Sequence, residues 1–131
     1  MLGLDRDVPR LGELQRLAAE RGLALRTKPC DLEAPGGGLG PEQYDVIVVF
    51  NYLHRPLFPA IVGALRPEGV LLYETFTAPQ AARGKPTHPD FLLQPGELLE
   101  RVSALEALRY REGDFEGRSL ASVVARRGPS R

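Results

Sequence analysis

The chain has 131 residues, enough for a single domain spanning residues 1–131 that buries roughly two thirds of its unfolded surface. Its 17 basic and 17 acidic residues cancel and neither sign forms a long block, so the charge pattern indicates no nucleic-acid or membrane-surface partner and favours a small-molecule protein. A single cysteine, Cys30, excludes an internal disulfide, and no apolar run approaches the roughly 20 residues of a membrane helix. We therefore expect a cytoplasmic protein without a signal peptide.

The first third of the chain predicts a strand, a helix and a second strand. Residues 1–4 are short and apolar, and the charged residues 5–7 end that strand. A helix follows, with Pro9 in its first turn and Gly22 at its end, positions that these residue types favour. Residues 23–28 form the second predicted strand.

The middle of the chain predicts a parallel strand–helix–strand unit. Residues 44–50 and 70–76 are apolar runs without polar alternation, which is typical of strands covered by helices on both faces. Residues 55–65 carry large apolar side chains at helical spacing, and Pro67-Glu68-Gly69 ends that helix. In such a unit a ligand lies beyond the carboxyl ends of the strands.

The last third predicts a long loop, a short helix and a hairpin. The helix begins at Pro95 and turns Leu98, Leu99 and Val102 inward. Two strands follow, residues 105–112 and 119–126, and the short link between them requires an antiparallel hairpin.

Taken together, these features resemble the Rossmann-like (class I) methyltransferases that use S-adenosylmethionine, especially tellurite-resistance-like and uncharacterised bacterial members. The resemblance covers most of the chain and depends on the order of its pieces, each of which is weak alone. The pieces are an acid closing a strand (Asp5), Asp31-Leu32-Glu33, a Tyr44-Asp45-Val46-Ile47 strand leading to Asn51-Tyr52-Leu53-His54, a helix ending in residues 65–71, and the terminal hairpin. The hairpin after parallel strands separates this class from ordinary dinucleotide-binding folds. The resemblance implies an α/β fold with a mostly parallel sheet.

One family feature is absent. The family opens with a strand and a G-x-G-x-G turn that lies against the methionine part of the cofactor, and Gly36-Gly37-Gly38 is no substitute because it follows no strand and opens no evident helix. The resemblance therefore places Met1 in the family's second strand and implies an N-terminally truncated fold. In the family's sheet the absent strand lies between the strand of Asp5 and that of Val46. We expect these two strands to pair directly, or two copies to form a homodimer that covers the exposed edges.

The resemblance also implies part of a site for S-adenosylmethionine. Asp5 corresponds to the acid that accepts hydrogen bonds from both ribose hydroxyls, and Asp31 to the acid that receives the adenine amine. The Leu32 N–H would donate to the adenine ring. Asp5 has an alternative role as a helix cap, although Asp7 suits that role already, and Asp31 has one as the start of a turn.

Phe50, Asn51 and Tyr52 correspond to the place where the adenosine and the methyl donor meet, with the aromatic rings as an apolar wall. Tyr52 and the neighbouring Leu53 have an alternative role as core residues.

Three residues are candidates for contact with the methyl acceptor. His54 follows a strand end, where a base could take the acceptor's proton, although a histidine before Arg-Pro is also a common helix-start residue. Glu74 ends the next strand and faces the same cleft, with pairing to Arg55 or Arg83 as its alternative. His88 lies in the loop that caps the acceptor pocket in relatives, and its alternative is an exposed surface position.

Two hypotheses follow. The first is a methyltransferase, or a truncated homologue, that methylates a small molecule or another acceptor. The second is a non-catalytic α/β module, derived from that fold, that acts through self-association or a protein partner. The two histidines and one cysteine have no spacing typical of zinc, so no metal site is predicted.

Overall fold

A computed structural model of the chain describes residues 2–5, 8–22, 26–29, 33 and 39–129. The chain divides into two compact units, Met1–Leu39 and Gly40–Arg131. That residues 1–131 form a single domain stays a prediction.

The first unit contains the predicted strand, helix and strand. Strand β1 (Leu2–Asp5) is followed by helix α1 (Val8–Glu20) and strand β2 (Arg26–Pro29), and the two strands pair in parallel. The helix ends at a left-handed Gly22, whose φ is 68° and whose N–H donates to the Ala19 carbonyl at 3.1 Å. A parallel pair needs a crossover connection, which α1 supplies.

The second unit contains a four-stranded sheet. Its elements are β3 (Tyr44–Phe50), a 3₁₀ turn (Arg55–Leu57), α2 (Phe58–Ala64), β4 (Leu65–Phe76), 3₁₀ turns at Ala78–Ala82 and Pro89–Phe91, α3 (Glu97–Arg101), β5 (Glu106–Phe115) and β6 (Arg118–Arg126). The strand order is β3-β4-β6-β5, in which β3 and β4 are parallel and the other pairs antiparallel. The direct pairing of residues 2–5 with the Val46 strand was a wrong prediction, because β1 belongs to a separate sheet with β2.

The helix predicted over residues 55–65 is shorter than expected, and the strand after it begins at Leu65. Backbone N–H groups of Glu42 and Gln43 donate to the carbonyls of Gly63 and Ala64 at 2.9 and 2.8 Å. These bonds satisfy the free carbonyls at the helix end, so the chain can leave the helix there. Leu65 already has an extended backbone, with φ −71° and ψ 136°.

Gly69 of β4 lies against the backbone at the start of β3. A Cβ atom at this position would meet the carbonyl oxygens of Arg66 at 2.8 Å, Asp45 at 3.1 Å and Tyr44 at 3.2 Å. No other residue fits without moving the backbone of one of these strands.

Gly69→Ala is therefore expected to lower the free energy of unfolding by about 1–3 kcal/mol, the usual cost of overpacking. Urea unfolding followed by tyrosine fluorescence would measure it, because all four tyrosines (Tyr44, Tyr52, Tyr73, Tyr110) lie in the second unit. Gly63→Ala is the matched control: nothing lies within 4 Å of its Cβ, and it is expected to be neutral or stabilising by up to about 1 kcal/mol. An equal loss in both variants would contradict the steric explanation.

The core lies on one face of the sheet. Alternate residues of β4 and β6 are almost fully buried there, namely Leu71, Tyr73, Thr75, Ala121, Val123 and Ala125. Phe58 of α2 stacks on Tyr73 with ring centroids 5.0 Å apart. In α3, Leu98 is buried but Leu99 is 37 % exposed, so its predicted inward orientation was wrong: a helix of about one turn cannot turn both adjacent residues to the same side.

The opposite face of β3 is open. Val46, Val48 and Phe50 are 60, 51 and 52 % exposed. The prediction that this strand is covered on both faces was therefore wrong, because α2 packs on the other face of the sheet.

The hairpin turn is tighter than predicted and consists of Glu116 and Gly117 alone. Both residues have positive φ, 50° and 79°, which is the geometry of a type I′ turn. Phe115 pairs directly with Arg118.

Candidate functional site

The carboxyl ends of β3 and β4 lie side by side, as the sequence predicts. Phe50 is the Cα partner of Glu74, and the Asn51 N–H donates to the Glu74 carbonyl at 2.9 Å. Asn51 then takes a left-handed backbone, with φ 54°, a conformation that Asn tolerates better than most residues. The chain therefore turns out of the sheet immediately after Phe50, whose ring stays half exposed.

The buried side chain of Tyr73 stabilises this turn through a hydrogen bond. The Tyr73 hydroxyl donates to the Tyr52 carbonyl at 2.6 Å. Burial raises the pKa of Tyr73, so its phenol stays protonated and acts as a donor rather than as a base. Leu53 is 5 % exposed and is a core residue, whereas Tyr52 is only half-buried.

Glu74 is largely buried and has a different partner from those considered. Arg111 of β5 lies 3.5 Å from its carboxylate, and the Arg111 guanidinium also sits 4.2 Å from the centre of the Phe115 ring. The predicted alternatives were wrong, because Arg55 pairs with Glu97 and Arg83 with Asp114.

On the open face of the sheet, strand pairing aligns Phe50, Glu74, Ser122 and Arg111 in one row across all four strands. A shallow depression of about 520 Å³ lies beside the β5 end of this row and is lined by Arg109, Tyr110, Arg111, Ser122 and Val124. The row therefore runs from an aromatic ring at β3 to a cation at β5.

A charged cluster ties the segment after His54 to the loop before α3. The Arg55 guanidinium binds Glu97 through two bonds, of 2.6 and 3.0 Å, and also donates to the carbonyls of Leu92 and Asp90. Arg101 and the Gln94 N–H complete the environment of Glu97. The bond from Arg55, more than any other contact, lowers the pKa of Glu97 to about 2.

A second cluster ties the loop after β4 to the hairpin. The buried Gln80 accepts a hydrogen bond from the Ser119 N–H at 2.8 Å and donates to the Lys85 carbonyl at 3.2 Å. Ser119 donates to Asp114, which Arg83 also contacts at 3.0 Å. Neither cluster was predicted, because the contacts that join their separate segments, Arg55–Glu97 and Gln80–Ser119, span 42 and 39 positions in sequence.

The two histidines lie at the starts of 3₁₀ turns. His54 is half-buried and immediately precedes Arg55, and its carbonyl accepts the Leu57 N–H at 3.0 Å. The His88 Nδ1 accepts the Asp90 N–H at 3.1 Å, and its side chain is 63 % exposed. These positions match the helix-start alternative for His54 and the exposed alternative for His88, and the contact of either with an acceptor stays a prediction.

The cofactor residues predicted in the first unit are described only in part. Asp5 is the last residue of β1 and pairs with Pro29, the last residue of β2. Asp31, Leu32 and the glycines at 36–38 lie outside the described residues.

Within the part of the chain that the structure describes, no three His, Cys, Asp or Glu residues are arranged to hold a metal ion. The helices described there are also too short or too polar to cross a membrane.

The sequence matches no known protein-family model and no curated protein. Its structure resembles several solved structures. TehB from Haemophilus influenzae is 19 % identical with a TM-score of 0.74, over 96 % of this chain and 49 % of TehB. A SAM-dependent methyltransferase from Methanosarcina mazei (12 % identity, TM-score 0.72) matches 98 % of this chain and 82 % of its own. The N-methyltransferase NodS from Bradyrhizobium japonicum WM9 is 18 % identical with a TM-score of 0.70, over 98 % of this chain and 73 % of NodS.

Strand order, terminal hairpin and these likenesses define the class: the chain has a Rossmann-like methyltransferase fold. At these identities the likeness establishes the fold alone, and the chain spans about half of the length of TehB.

Proposed function

We propose that the protein is a methyltransferase that uses S-adenosylmethionine, or a truncated homologue of one, of the tellurite-resistance-like or a related bacterial type. It would act in the cytoplasm on a small molecule or another acceptor that the chain does not identify. The observation that carries the proposal is the structural likeness, with TM-scores of 0.72 and 0.70, to structures that are methyltransferases by name.

The residues at the carboxyl ends of the strands fit part of the cofactor. Phe50 offers an uncovered aromatic surface, 52 % exposed, against which a planar base can pack. Asn51 and Tyr52 continue from it in a turn that Tyr73 holds in place. In the first unit, the proposal gives Asp5 the ribose hydroxyls, and Asp31 and Leu32 the adenine edge.

The bound cofactor supplies a methyl group on a positively charged sulfur, so the protein's task is mainly to align the acceptor. Where the acceptor must lose a proton, His54 is the proposed base, because it lies four residues after the end of β3. Glu74 and His88 are the proposed acceptor contacts. The Glu74 carboxylate already lies 3.5 Å from the Arg111 guanidinium, so an acceptor would meet both groups together.

Calorimetric titration with S-adenosylhomocysteine tests the proposal. We expect micromolar binding, weakened at least about tenfold in Asp5→Ala, which corresponds to about 1.4 kcal/mol. Asp45→Ala is the matched control, since Asp45 is an exposed carboxylate at the start of β3, away from the carboxyl end of that strand, and it pairs with Arg66 at the surface. Its affinity should equal that of the unmodified chain.

Two outcomes would count against the proposal. Absence of heat up to about 1 mM would mean that these residues do not bind the cofactor, and the non-catalytic module would become the better hypothesis. Equal weakening in Asp5→Ala and Asp45→Ala would remove Asp5 from the site.

A further inference from the structure

Arg55 joins two segments that both belong to the proposed site. It follows His54 directly, at the start of the 3₁₀ turn after β3. Its guanidinium donates to the carbonyls of Leu92 and Asp90 at 2.9 and 3.3 Å, although these residues lie 37 and 35 positions further along the chain. The loop that carries His88 is therefore bonded to the segment that carries His54, and all of these residues lie in the second unit.

The same loop is bonded to the sheet at the point where it rejoins it. The Leu93 N–H donates to the Phe76 carbonyl at 3.0 Å, and the Ala78 N–H donates to the Leu93 carbonyl at 2.9 Å. The backbone of β4 thus fixes the end of the loop.

The 3₁₀ turn inside the loop is formed by local bonds. The N–H groups of Phe91 and Leu92 donate to the carbonyls of His88 and Pro89 at 3.0 and 3.1 Å. These bonds shape the turn but do not connect it to another element. The bonds from Arg55 supply that connection.

The Arg55 guanidinium is itself held in one direction. Its Nε and Nη2 atoms bind the two carboxylate oxygens of Glu97 at 2.6 and 3.0 Å, and Arg101 binds the same carboxylate at 3.0 Å. Because the guanidinium is planar and rigid, the carboxylate sets the direction of the whole group. The remaining N–H bonds of Nη2 and Nη1 then point at the carbonyls of Leu92 and Asp90.

The burial of this ion pair favours a role in position over a role in stability alone. The side chains of Arg55 and Glu97 are only 27 and 11 % exposed, so both charges lose much of their water. An apolar pair of similar size often stabilises a protein as well as a buried ion pair does. An apolar side chain could not bind the carbonyls of Leu92 and Asp90, however.

We propose that Arg55 is a positioning residue of the methyl-transfer site, which fixes the loop that carries His88 against the segment that follows β3. The inference rests on the proposed function, in which Asn51 and Tyr52 contact the cofactor and His88 contacts the acceptor. Methyl transfer depends on alignment, and a misplacement of about 1 Å can cost about 100-fold in rate. In this role Arg55 acts through the loop rather than on either reactant.

The side chains that Arg55 would position are exposed rings. Phe91 lies between the two bonded carbonyls and is 53 % exposed. Its ring meets the ring of His88 edge to face, with centroids 5.9 Å apart. A shift of the turn would therefore move both rings together.

Hydrogen exchange of Arg55→Lys, followed by NMR, tests the proposal without a ligand. A lysine ammonium is a single nitrogen that can pair with Glu97 but cannot also reach both carbonyls. The N–H groups of Phe91 and Leu92 should then exchange at least about tenfold faster than in the unmodified chain, because the turn opens locally. The N–H groups that join β4 to β6 should be unchanged.

Arg101→Lys is the matched control. Arg101 binds the same carboxylate as Arg55 does, but from within α3. Exchange of the Phe91 and Leu92 N–H groups should be unchanged in this variant. Equal acceleration in Arg101→Lys and Arg55→Lys, or none in Arg55→Lys, would overturn the proposal.

Arg55→Met separates position from stability. Methionine removes the charge, so the midpoint of urea unfolding should fall, and lysine at the same position should restore most of it. The exchange of the Phe91 and Leu92 N–H groups should be fast in both variants. If lysine restored slow exchange together with stability, the role of Arg55 would be structural and the proposal would be overturned.

The same exchange experiment with saturating S-adenosylhomocysteine connects the contact to the proposed function. In the unmodified chain the ligand should slow exchange at Phe91 and Leu92 by at least about threefold, because it orders the segment to which Arg55 bonds the loop. In Arg55→Lys the ligand should bind without this effect. Binding to the unmodified chain without slower exchange would overturn the positioning role. Absence of binding would contradict the proposed function instead, and the ligand-free comparison would still decide whether Arg55 fixes the loop.

Discussion

Glu97→Gln is expected to lower the free energy of unfolding of the Gly40–Arg131 unit by about 3 kcal/mol at neutral pH. The carboxylate is 11 % exposed and accepts bonds from Arg55, Arg101 and the Gln94 N–H, which together lower its pKa from 4.5 to about 2. A shift of this size corresponds to about 3 kcal/mol of preferential interaction with the ionised form. An amide has the same shape but leaves the Arg55 guanidinium, itself only 27 % exposed, without its negative partner.

The same group predicts a pH dependence. Between about pH 4.5 and pH 2 the unfolded chain binds a proton at Glu97 and the folded chain does not, so the stabilisation present above pH 4.5 is lost as the pH falls towards 2. Urea unfolding by tyrosine fluorescence at several pH values would measure this loss. Glu97→Gln should flatten the curve in this range, whereas Glu100→Gln, an exposed carboxylate of the same helix, should leave it unchanged. A Glu97→Gln curve parallel to that of the unmodified chain would contradict the assignment.

Phe58→Ala is expected to cost about 3–5 kcal/mol, the largest loss of any substitution considered. Phe58 is 2 % exposed, and its ring stacks on Tyr73 at 5.0 Å with an interplanar angle of 26°. Removing it leaves a cavity beneath the residue that holds the Tyr52 turn, so the effect should reach the proposed site. Urea unfolding would give the stability, and titration with S-adenosylhomocysteine would give the effect on the site.

Phe91→Ala is the control for this substitution. Phe91 is 53 % exposed, and its truncation should change stability by no more than about 0.5 kcal/mol. If Phe58→Ala cost as little as Phe91→Ala, the packing of α2 on the sheet would be wrong.

The strands of the second unit could be predicted from the sequence because each is a compact apolar run or half of a hairpin. The end of α2 could not be predicted, because the N–H groups that bind its last carbonyls belong to Glu42 and Gln43, which lie outside the helix. The open face of β3 could not either: an unbroken apolar run reads alike whether one face or both are covered.

The candidate site could also be predicted only in part. The adjacency of Phe50 and Glu74 follows from two parallel strands, of which β4 continues only two residues past the end of β3. The partner of Glu74 could not be predicted. Arg111 is placed beside it by the pairing of β4 with β6 and of β6 with β5, which no local sequence pattern encodes. Likewise, Arg55 and Glu97 lie 42 positions apart.

The two-residue turn at Glu116–Gly117 has a consequence for the order of folding. Closing so short a link costs little chain entropy, and hairpins of this type form within about 1–10 µs. The pairing of β4 with β6 instead joins residues as distant as Val70 and Arg126 and must wait for a much larger loop to close. We therefore expect the β5–β6 hairpin to be the folding nucleus of the second unit, with β4 and then β3 added to a sheet that has already begun to form.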